Sequence, residues 1–429
     1  MTFAPPWDLF FSSGRGREVL LGALLLVTSP LAGCREPRPR QEPVLSSSSP
    51  KPSSSSASWA DVEKEARGQT VTWMMWKGDP LINAYVQGFV VPRLRDQYGV
   101  TLKTVSGQGN RIVSALMTER EAQKIESEFD LVWINGESFY QLRQIDALYG
   151  PFTERLPNFG LIDVSNPFIG SDFQQPIGGY ECPWGNVQMT LIYHSDRVKD
   201  PPRTREALAA WARAHPGRFT FDASFTGMTL LKSWLIALAG GAGALDGPFD
   251  EAKYVRYSAE LWKYLKVLKP YLWRRGETYP QGVAELHQLF ASGEIDFTMS
   301  NNDGEVDNKI LQGALPEASL AYVFDEGMIQ NSHYIGIVRN APHLAAAFVA
   351  ANFLISPEAQ YEKMKPAVWG DGTVLNRGRL SAAWRAKFDD VPGRRFAPPR
   401  AELEKKALRE IAPEYMIRIA DDFRRHALR

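Results

Sequence analysis

Apolar, β-rich runs alternate with amphipathic patterns along the chain, and this alternation predicts most of its secondary structure. After the run at residues 70–76, Asp79 and Pro80 suit the two positions with which a helix begins, an N-cap and a first-turn proline. Strands are predicted at residues 70–76, 100–105, 129–135, 188–193, 219–222, 295–299, 319–324 and 333–338. Helices are predicted from residue 79 and at residues 111–126, 204–215, 228–239, 251–268, 282–292 and 342–354, with more helices after residue 381.

The order of these elements is that of an α/β protein. The first three strands, with a helix between each pair, predict a parallel sheet that has helices on both faces. We expect two lobes with a ligand cleft between them, because open α/β sheets bind ligands beyond the carboxyl ends of their strands. Residues 59–187 are expected to begin the first lobe, residues 188–325 to form the second, residues 326–380 to return to the first, and residues 381–429 to add C-terminal helices.

The N-terminal region is typical of a secretion signal followed by a tether. Arg15 and Arg17 precede an apolar run at residues 19–27, which is too short to span a bilayer but suits a signal peptide. The passage LAGC that ends at Cys34 resembles the lipobox of bacterial lipoproteins, which implies a signal peptide at residues 1–33 and a lipid on the Cys34 thiol. Serine and proline dominate residues 34–58, so we expect a disordered tether there. The alternative is an ordinary signal peptide with an unrelated cysteine.

Charge and cysteine usage exclude several classes of protein. The 49 basic and 49 acidic residues cancel, so the chain lacks the basic excess of a nucleic-acid-binding protein. Two cysteines exclude a disulfide scaffold and any all-cysteine metal site. If Cys34 is lipidated, Cys182 remains as the single thiol, and we expect it to be buried. No metal, phosphate-binding, dinucleotide or serine-hydrolase motif stands in context, so we expect no metal, no cofactor and no catalytic residue.

Three passages resemble the substrate-binding proteins of ABC transporters. They are residues 191–196 (LIYHSD), residues 219–222 (FTFD), and the return passage at residues 334–342 with its continuation at residues 353–360 (FLISPEAQ). The resemblance implies a type II periplasmic-binding fold, whose members bind spermidine, iron(III) or thiamine by closing two lobes on a hinge. The iron binders of this fold use adjacent tyrosines, and no such pair occurs here.

Within that family the chain most resembles the YnjB-type group, which is related to thiamine, polyamine and iron binders. The similar stretches are residues 76–83 (WKGDPLIN), 133–138 (WINGES) and 183–188 (PWGNVQ). The resemblance implies partners as well as a fold: a small-molecule solute, an ABC permease and its ATPase. It also implies a monomer in the periplasm or at the cell surface, held to the membrane by its lipid anchor.

Loops after the predicted strands are polar, contain glycine and have an aromatic residue nearby, which suits a small organic ligand held by stacking and hydrogen bonds. Trp76, Trp184 and Trp369 are the expected stacking residues, although core packing would explain each tryptophan equally well. Glu137 is the expected charge-reading residue, whereas Asp79 and Asp303 suit N-caps better. The predicted ligand-binding residues are Trp76, Gly78, Asn135, Gly136, Glu137, Trp184, Gln188, Asp222, Ser300, Asn301, Tyr334 and Trp369.

The charge of the ligand is left open by two opposing features. Acidic residues outnumber basic ones in these loops, which favours a cation such as a thiamine-like compound or a polyamine. Helix N-termini at the same edge would instead suit an anion. The sequence favours the cation. Two other functions stay open: an envelope lipoprotein that uses a binding-protein fold for protein interaction or sensing, and an enzyme.

Overall fold

The computed structural model describes residues 58–426, so the predicted signal peptide, Cys34 and almost all of the predicted tether lie outside the described residues. The strands of the described part are β1 (Thr70–Met75), β2 (Thr101–Ser106), β3 (Leu131–Ile134), β4 (Leu148–Tyr149), β5 (Ser171–Asp172), β6 (Gln175–Pro176), β7 (Glu181–Gln188), β8 (Thr190–His194), β9 (Phe297–Ser300), β10 (Ser319–Tyr322), β11 (Met328–Val338) and β12 (Ala407–Leu408).

The helices include every predicted one, at bounds that differ by a few residues, and others that were not predicted. They are α1 (Trp59–Ala66), α2 (Pro80–Tyr85), α3 (Val91–Tyr98), α4 (Asn110–Glu121), α5 (Glu137–Gln144), α6 (Arg205–Ala214), α7 (Phe225–Leu238), α8 (Glu251–Leu268), α9 (Val283–Ala291), α10 (Glu305–Leu311), α11 (Leu344–Leu354), α12 (Pro357–Met364), α13 (Ala382–Asp389), α14 (Arg400–Leu403) and α15 (Pro413–His426). A π-helical turn, Val86–Val90, joins α2 to α3. None of the helices within residues 58–426 is both long and apolar enough to cross a membrane.

The larger sheet has seven strands and begins as the sequence predicts. Strands β2 and β3 both pair in parallel with β1. The sheet continues in the order β2, β1, β3, β11 and β12, and β11 runs antiparallel to β3. Strands β4 and β7 also pair with β11, both antiparallel. The long strand β11 therefore connects the parallel part of this sheet to the later parts of the chain.

The smaller sheet has three antiparallel strands, in the order β10, β8 and β9. The strand predicted at residues 188–193 is β8, which begins two residues later than predicted. Gln188 ends β7 of the larger sheet, and Met189 lies between the two strands, with its N–H donating to the carbonyl of Ile329. The strand predicted at residues 219–222 was wrong. That segment bonds to isolated loop positions instead, with the carbonyl of Phe219 accepting from Trp273.

Three clusters of buried side chains form the core. One covers a face of the larger sheet with α1 and the fully buried α11, and a second covers the opposite face with α4 and α5. Helices therefore cover both faces, as predicted. The third cluster surrounds the smaller sheet with α7, α8 and α9, and the C-terminal α15 contributes Ile419 and Phe423 to it. Cys182 is buried in the first cluster, and burial raises the pKa of its thiol.

Candidate functional site

A cavity of about 360 Å³ is bordered by segments of both sheets. The larger sheet contributes the residues after β1 and β3 and the middle of β11, and the smaller sheet contributes the loop after β9. The first turns of α7 and α9 and the loop at Trp369 complete the border. A volume of this size suits a small molecule.

One wall of the cavity is aromatic. Trp133 and Trp369 line it with their ring centroids 6.0 Å apart, and Trp76 lines it beside Gly78. A Cβ atom at Gly78 would overlap the Trp76 indole, so only glycine lets this ring lie against the backbone. Trp184 lies fully buried behind the wall and packs edge-on against Trp133, with the centroids 4.8 Å apart. Such surfaces suit the apolar face of a ring.

His333 lies between the aromatic wall and a buried ion pair. Its ring stacks on Trp369 at a centroid distance of 5.7 Å, and its Nε2 lies 3.1 Å from Oδ2 of Asp371. Lys363, which is fully buried, places its ammonium 2.5 Å from the same oxygen. Burial opposes ionisation of Asp371, but Lys363 and then His333 outweigh it and lower the pKa of the carboxyl group. Strand β11 shifts register against β7 between His333 and Tyr334, where β7 has one extra residue, Trp184, and His333 lines the cavity.

A second ion-pair cluster also borders the cavity. Lys309 bonds to Asp79 and lies 3.6 Å from Glu305, whose carboxylate also accepts the Ser300 hydroxyl. Burial opposes ionisation of Glu305, but His287, Lys309 and Ser300 lower its pKa to about 2. Asp79 also caps α2 by accepting the N–H groups of Leu81 and Ile82, so its predicted N-cap role is confirmed.

Amide side chains supply most of the remaining polar lining. Asn302 accepts the N–H of Gly304, and Asn301 donates to the hydroxyl of Thr226. The first residues of α7 and α9 also face the cavity, and neither helix has a side-chain cap on its N-cap residue, Ser224 or Gly282. The lining amides are Gln108, Asn135, Gln281, Asn301, Asn302, Asn308 and Asn331.

Comparison with known proteins assigns this chain to a family. Residues 90–387 match the model of the family described as bacterial extracellular solute-binding protein. The chain is also 37% identical over 364 residues to protein YnjB of Escherichia coli strain K12, an alignment that covers 84% of this chain and 93% of that one. The chain belongs to the bacterial extracellular solute-binding proteins.

Solved structures give this solute-binding protein the type II periplasmic-binding fold that was expected. The periplasmic binding protein AfuA from Actinobacillus pleuropneumoniae, described with exogenous fructose-6-phosphate bound, matches with a TM-score of 0.61 and 14% identity over 84% of this chain and 99% of that one. Iron-bound HitA from Pseudomonas aeruginosa matches with a TM-score of 0.58 and 15% identity over 83% and 98% of the two chains. At these identities the likeness shows the fold alone.

The cavity of the solute-binding protein brings together half of the residues that the sequence nominated. Those that line it are Trp76, Gly78, Asn135, Ser300, Asn301 and Trp369. They come from the loops after β1, β3 and β9 and from the loop after α12, so the expectation that strand ends meet at one edge locates them well.

The other nominated residues lie outside the cavity lining, and each has a structural partner or a buried position. Trp184 packs behind Trp133, and the Tyr334 hydroxyl donates to the carbonyl of Ile169. The N–H of Gly136 donates to Asp172, and the N–H of Gln188 donates to Asp303. Asp222 accepts the N–H groups of Ser224 and Gly227. The Glu137 side chain lies at the start of α5, and its Oε2 atom is enclosed. The expectation that Asp303 caps a helix was wrong, because its carboxylate is bound by Arg394 and Arg400.

The sequence did not nominate Trp133, His333 and Asn308, which the structure adds to the lining. Residues 330–333 form a polar run inside the otherwise apolar strand β11, and this run was the available signal for His333. Nothing in the local sequence distinguishes Trp133 from a core residue. Within residues 58–426, no group of three or more His, Cys, Asp or Glu side chains is arranged to hold a metal ion.

Proposed function

We propose that this solute-binding protein is the lipid-anchored receptor of an ABC importer and captures a small organic solute in the described cavity. The observation that supports this most is the cavity itself, because indole faces and amide groups line one volume of about 360 Å³. Aromatic faces with a few polar groups are typical of small-molecule sites. The bound protein then delivers the solute to a membrane permease that its ATPase drives.

Capture is proposed to involve closure of two lobes. In this proposal residues 59–187 and 326–380 form the first lobe and residues 188–325 form the second. The ion pair between Asp79, which follows β1, and Lys309, on α10 near the smaller sheet, then crosses from one lobe to the other. A solute favours closure only as far as it binds the closed form more tightly.

The anchor is proposed from the sequence alone. Residues 31–34 place Cys34 directly after an apolar signal-like run, and acylation there would hold the protein on a membrane in the periplasm or at the cell surface. We propose that the protein acts as a monomer and that it is a receptor, not an enzyme.

Native mass spectrometry of the full-length protein, purified in mild detergent without unfolding, tests this function. A discrete added mass that disappears in Trp133→Ala, but persists in the control Trp384→Ala outside the cavity, is the expected result. A protein without any added mass, unchanged by thiamine, polyamines, sugars or oxyanions, would favour a lipoprotein that binds another protein.

A further inference from the structure

The charged side chains of the cavity leave no spare cation for an anionic ligand. Three carboxylates line it, and two lysines serve all three: Asp79 and Glu305 share Lys309, and Asp371 has Lys363. Lys309 and Lys363 are buried, so these pairs are shielded from water. Oδ1 of Asp371 is buried without a hydrogen-bond partner among the described residues. An anionic ligand would add a further negative charge to this set, and an uncompensated buried charge is strongly unfavourable.

Two amides on the border have a fixed orientation. Nδ2 of Asn308 donates to the carbonyl of Pro366 at 2.7 Å, and Nδ2 of Asn331 donates to Oε1 of Glu410 at 3.1 Å. Only the NH₂ end of an amide can donate to a carbonyl or carboxylate oxygen, so the opposite atom is an acceptor. Neither Oδ1 has a hydrogen-bond partner in the described part of the chain, and both residues line the cavity.

His333 provides a third acceptor by the same reasoning. Asp371 is ionised beside Lys363, so the Nε2 atom that faces it carries the proton. In the neutral ring the other nitrogen, Nδ1, then accepts a hydrogen bond. Among residues 58–426 no donor bonds to this atom, and His333 lines the cavity beside Trp133 and Trp369.

The side chains that carry these three acceptors are nearly enclosed, so a bound ligand would displace the remaining water from them. Asn308 is 1% exposed, His333 8% and Asn331 9%. An acceptor that meets another acceptor loses its water without gaining a bond, which is costly. Carboxylate or phosphate oxygens on this side of a ligand would therefore be rejected, whereas hydroxyl or N–H groups would be bound.

We propose that the solute is not an anion and presents at least three hydrogen-bond donors, hydroxyl or N–H groups, to Asn308, Asn331 and His333, with an apolar ring face against the tryptophan wall. This deepens the proposed function and depends on it. Polyhydroxylated rings and amino or amide heterocycles share this chemistry. An anionic solute is the main competing ligand.

The charge of the solute can be tested without knowing its identity. The probe is a small-molecule extract of bacterial cells, separated by ion exchange into anionic, cationic and uncharged fractions. The readout is the melting temperature of the full-length protein in mild detergent. We expect the uncharged or the cationic fraction to raise it and the anionic fraction to leave it unchanged. Stabilisation by only the anionic fraction would overturn the proposal and leave the receptor function standing, whereas no stabilisation by any fraction would overturn both.

Periodate treatment of the active fraction separates the two sources of donors. Periodate cleaves vicinal diols, so loss of the stabilising effect identifies a polyhydroxylated ring, and its persistence identifies an N–H donor. Either result fits three donors. Mass spectrometry of the bound species then counts the exchangeable hydrogens in D₂O, and fewer than three would overturn the proposal.

Variants test the acceptors one at a time. Asn308→Leu removes Oδ1, and His333→Phe removes Nδ1 but keeps a ring against Trp369. Each should raise the amount of the active fraction needed for half-maximal stabilisation by about fivefold or more, which corresponds to about 1 kcal/mol or more for one unpaired donor. The control is Asn340→Leu, which also loses an Nδ2 bond to a carbonyl, that of Lys124 at 2.8 Å, but outside the cavity. Unchanged requirements in both test variants would contradict the proposal.

Discussion

Gly185 shows how a single backbone position on β7 shapes the cavity wall. A Cβ atom there would overlap the imidazole of His333 and the carboxylate of Asp371. These two side chains can therefore lie this close to the backbone only because residue 185 is glycine. The sequence nominated the neighbouring Trp184 because tryptophans are frequent ligand contacts. The structure instead uses Trp184 to support Trp133, since residue 184 lies in a strand buried on both faces.

Gly185→Ala should therefore damage both stability and binding. We expect a loss of about 1–3 kcal/mol in the free energy of unfolding, which is typical of overpacking. Urea denaturation measures it. Gly88→Ala is the control, because a Cβ atom at that helical position meets no atom within 4 Å. Similar behaviour of the two variants would show that the wall around His333 is not packed as described.

The Lys363–Asp371 pair leads to a second expectation at this scale. Lys363→Met leaves a buried carboxylate without its cation, which should cost about 3–5 kcal/mol in the free energy of unfolding. Adding Asp371→Asn should recover part of this loss, because the amide oxygen still accepts from His333. Chemical denaturation of the single and double variants checks the order, and a double variant less stable than Lys363→Met would contradict it.

At the scale of elements, the sequence predicts the long helices and the parallel strands because their apolar spacing repeats several times. Helix α8, for example, has the predicted bounds of residues 251–268. Strands β4, β5 and β6 have two residues each, too few for any periodicity, and were not predicted. The register shift beside His333, where β7 has the extra residue Trp184, depends on the pairing of β7 with β11, which are distant in sequence.

Asp79 has two structural roles, as the N-cap of α2 and as the partner of Lys309. Asp79→Asn keeps an oxygen for the cap of α2 but removes the charge that pairs with Lys309, whereas Asp79→Ala removes both. We expect Asp79→Ala to be less stable than Asp79→Asn by about 1 kcal/mol, the usual contribution of an N-cap. Equal unfolding free energies for the two variants would mean that the cap contributes nothing.

At the scale of the whole molecule, the described chain holds buried acids that are distant from solvent. Glu181 is fully buried in β7, and neither of its oxygens has a hydrogen-bond partner among the described residues. Burial, and then the nearby charge of Asp172, raises the pKa of Glu181 well above its usual value. The folded protein therefore binds a proton that the unfolded chain releases above about pH 4.3.

This proton makes stability depend on pH in a stated direction. A carboxyl group with a raised folded pKa stabilises the fold at low pH, and this contribution falls as the pH rises, by up to about 1.4 kcal/mol per pH unit. Glu181→Gln should remove that dependence, so its gain over the original protein should be larger at about pH 8 than at about pH 5. The exposed Glu121→Gln is the control. Unfolding free energies at the two pH values measure the effect, and a gain larger at the lower pH would contradict it.

The anchor also belongs to this scale. Cys34→Ala should leave the fold unchanged, because the described core begins at Val62, and should release the protein from membranes. Fractionation of cells into soluble and membrane parts checks this. Continued membrane attachment of the variant would contradict lipidation at Cys34.

The central claim is that a small solute with several hydrogen-bond donors occupies the cavity between Trp133, Trp369 and the first turns of α7 and α9. A crystal structure of the protein purified from cells without unfolding tests it most directly. We predict density for a ring-like molecule that stacks on an indole and donates hydrogen bonds to Asn308, Asn331 and His333. Density for a solute elsewhere on the molecule, or for an anionic group against these three acceptors, would contradict the account.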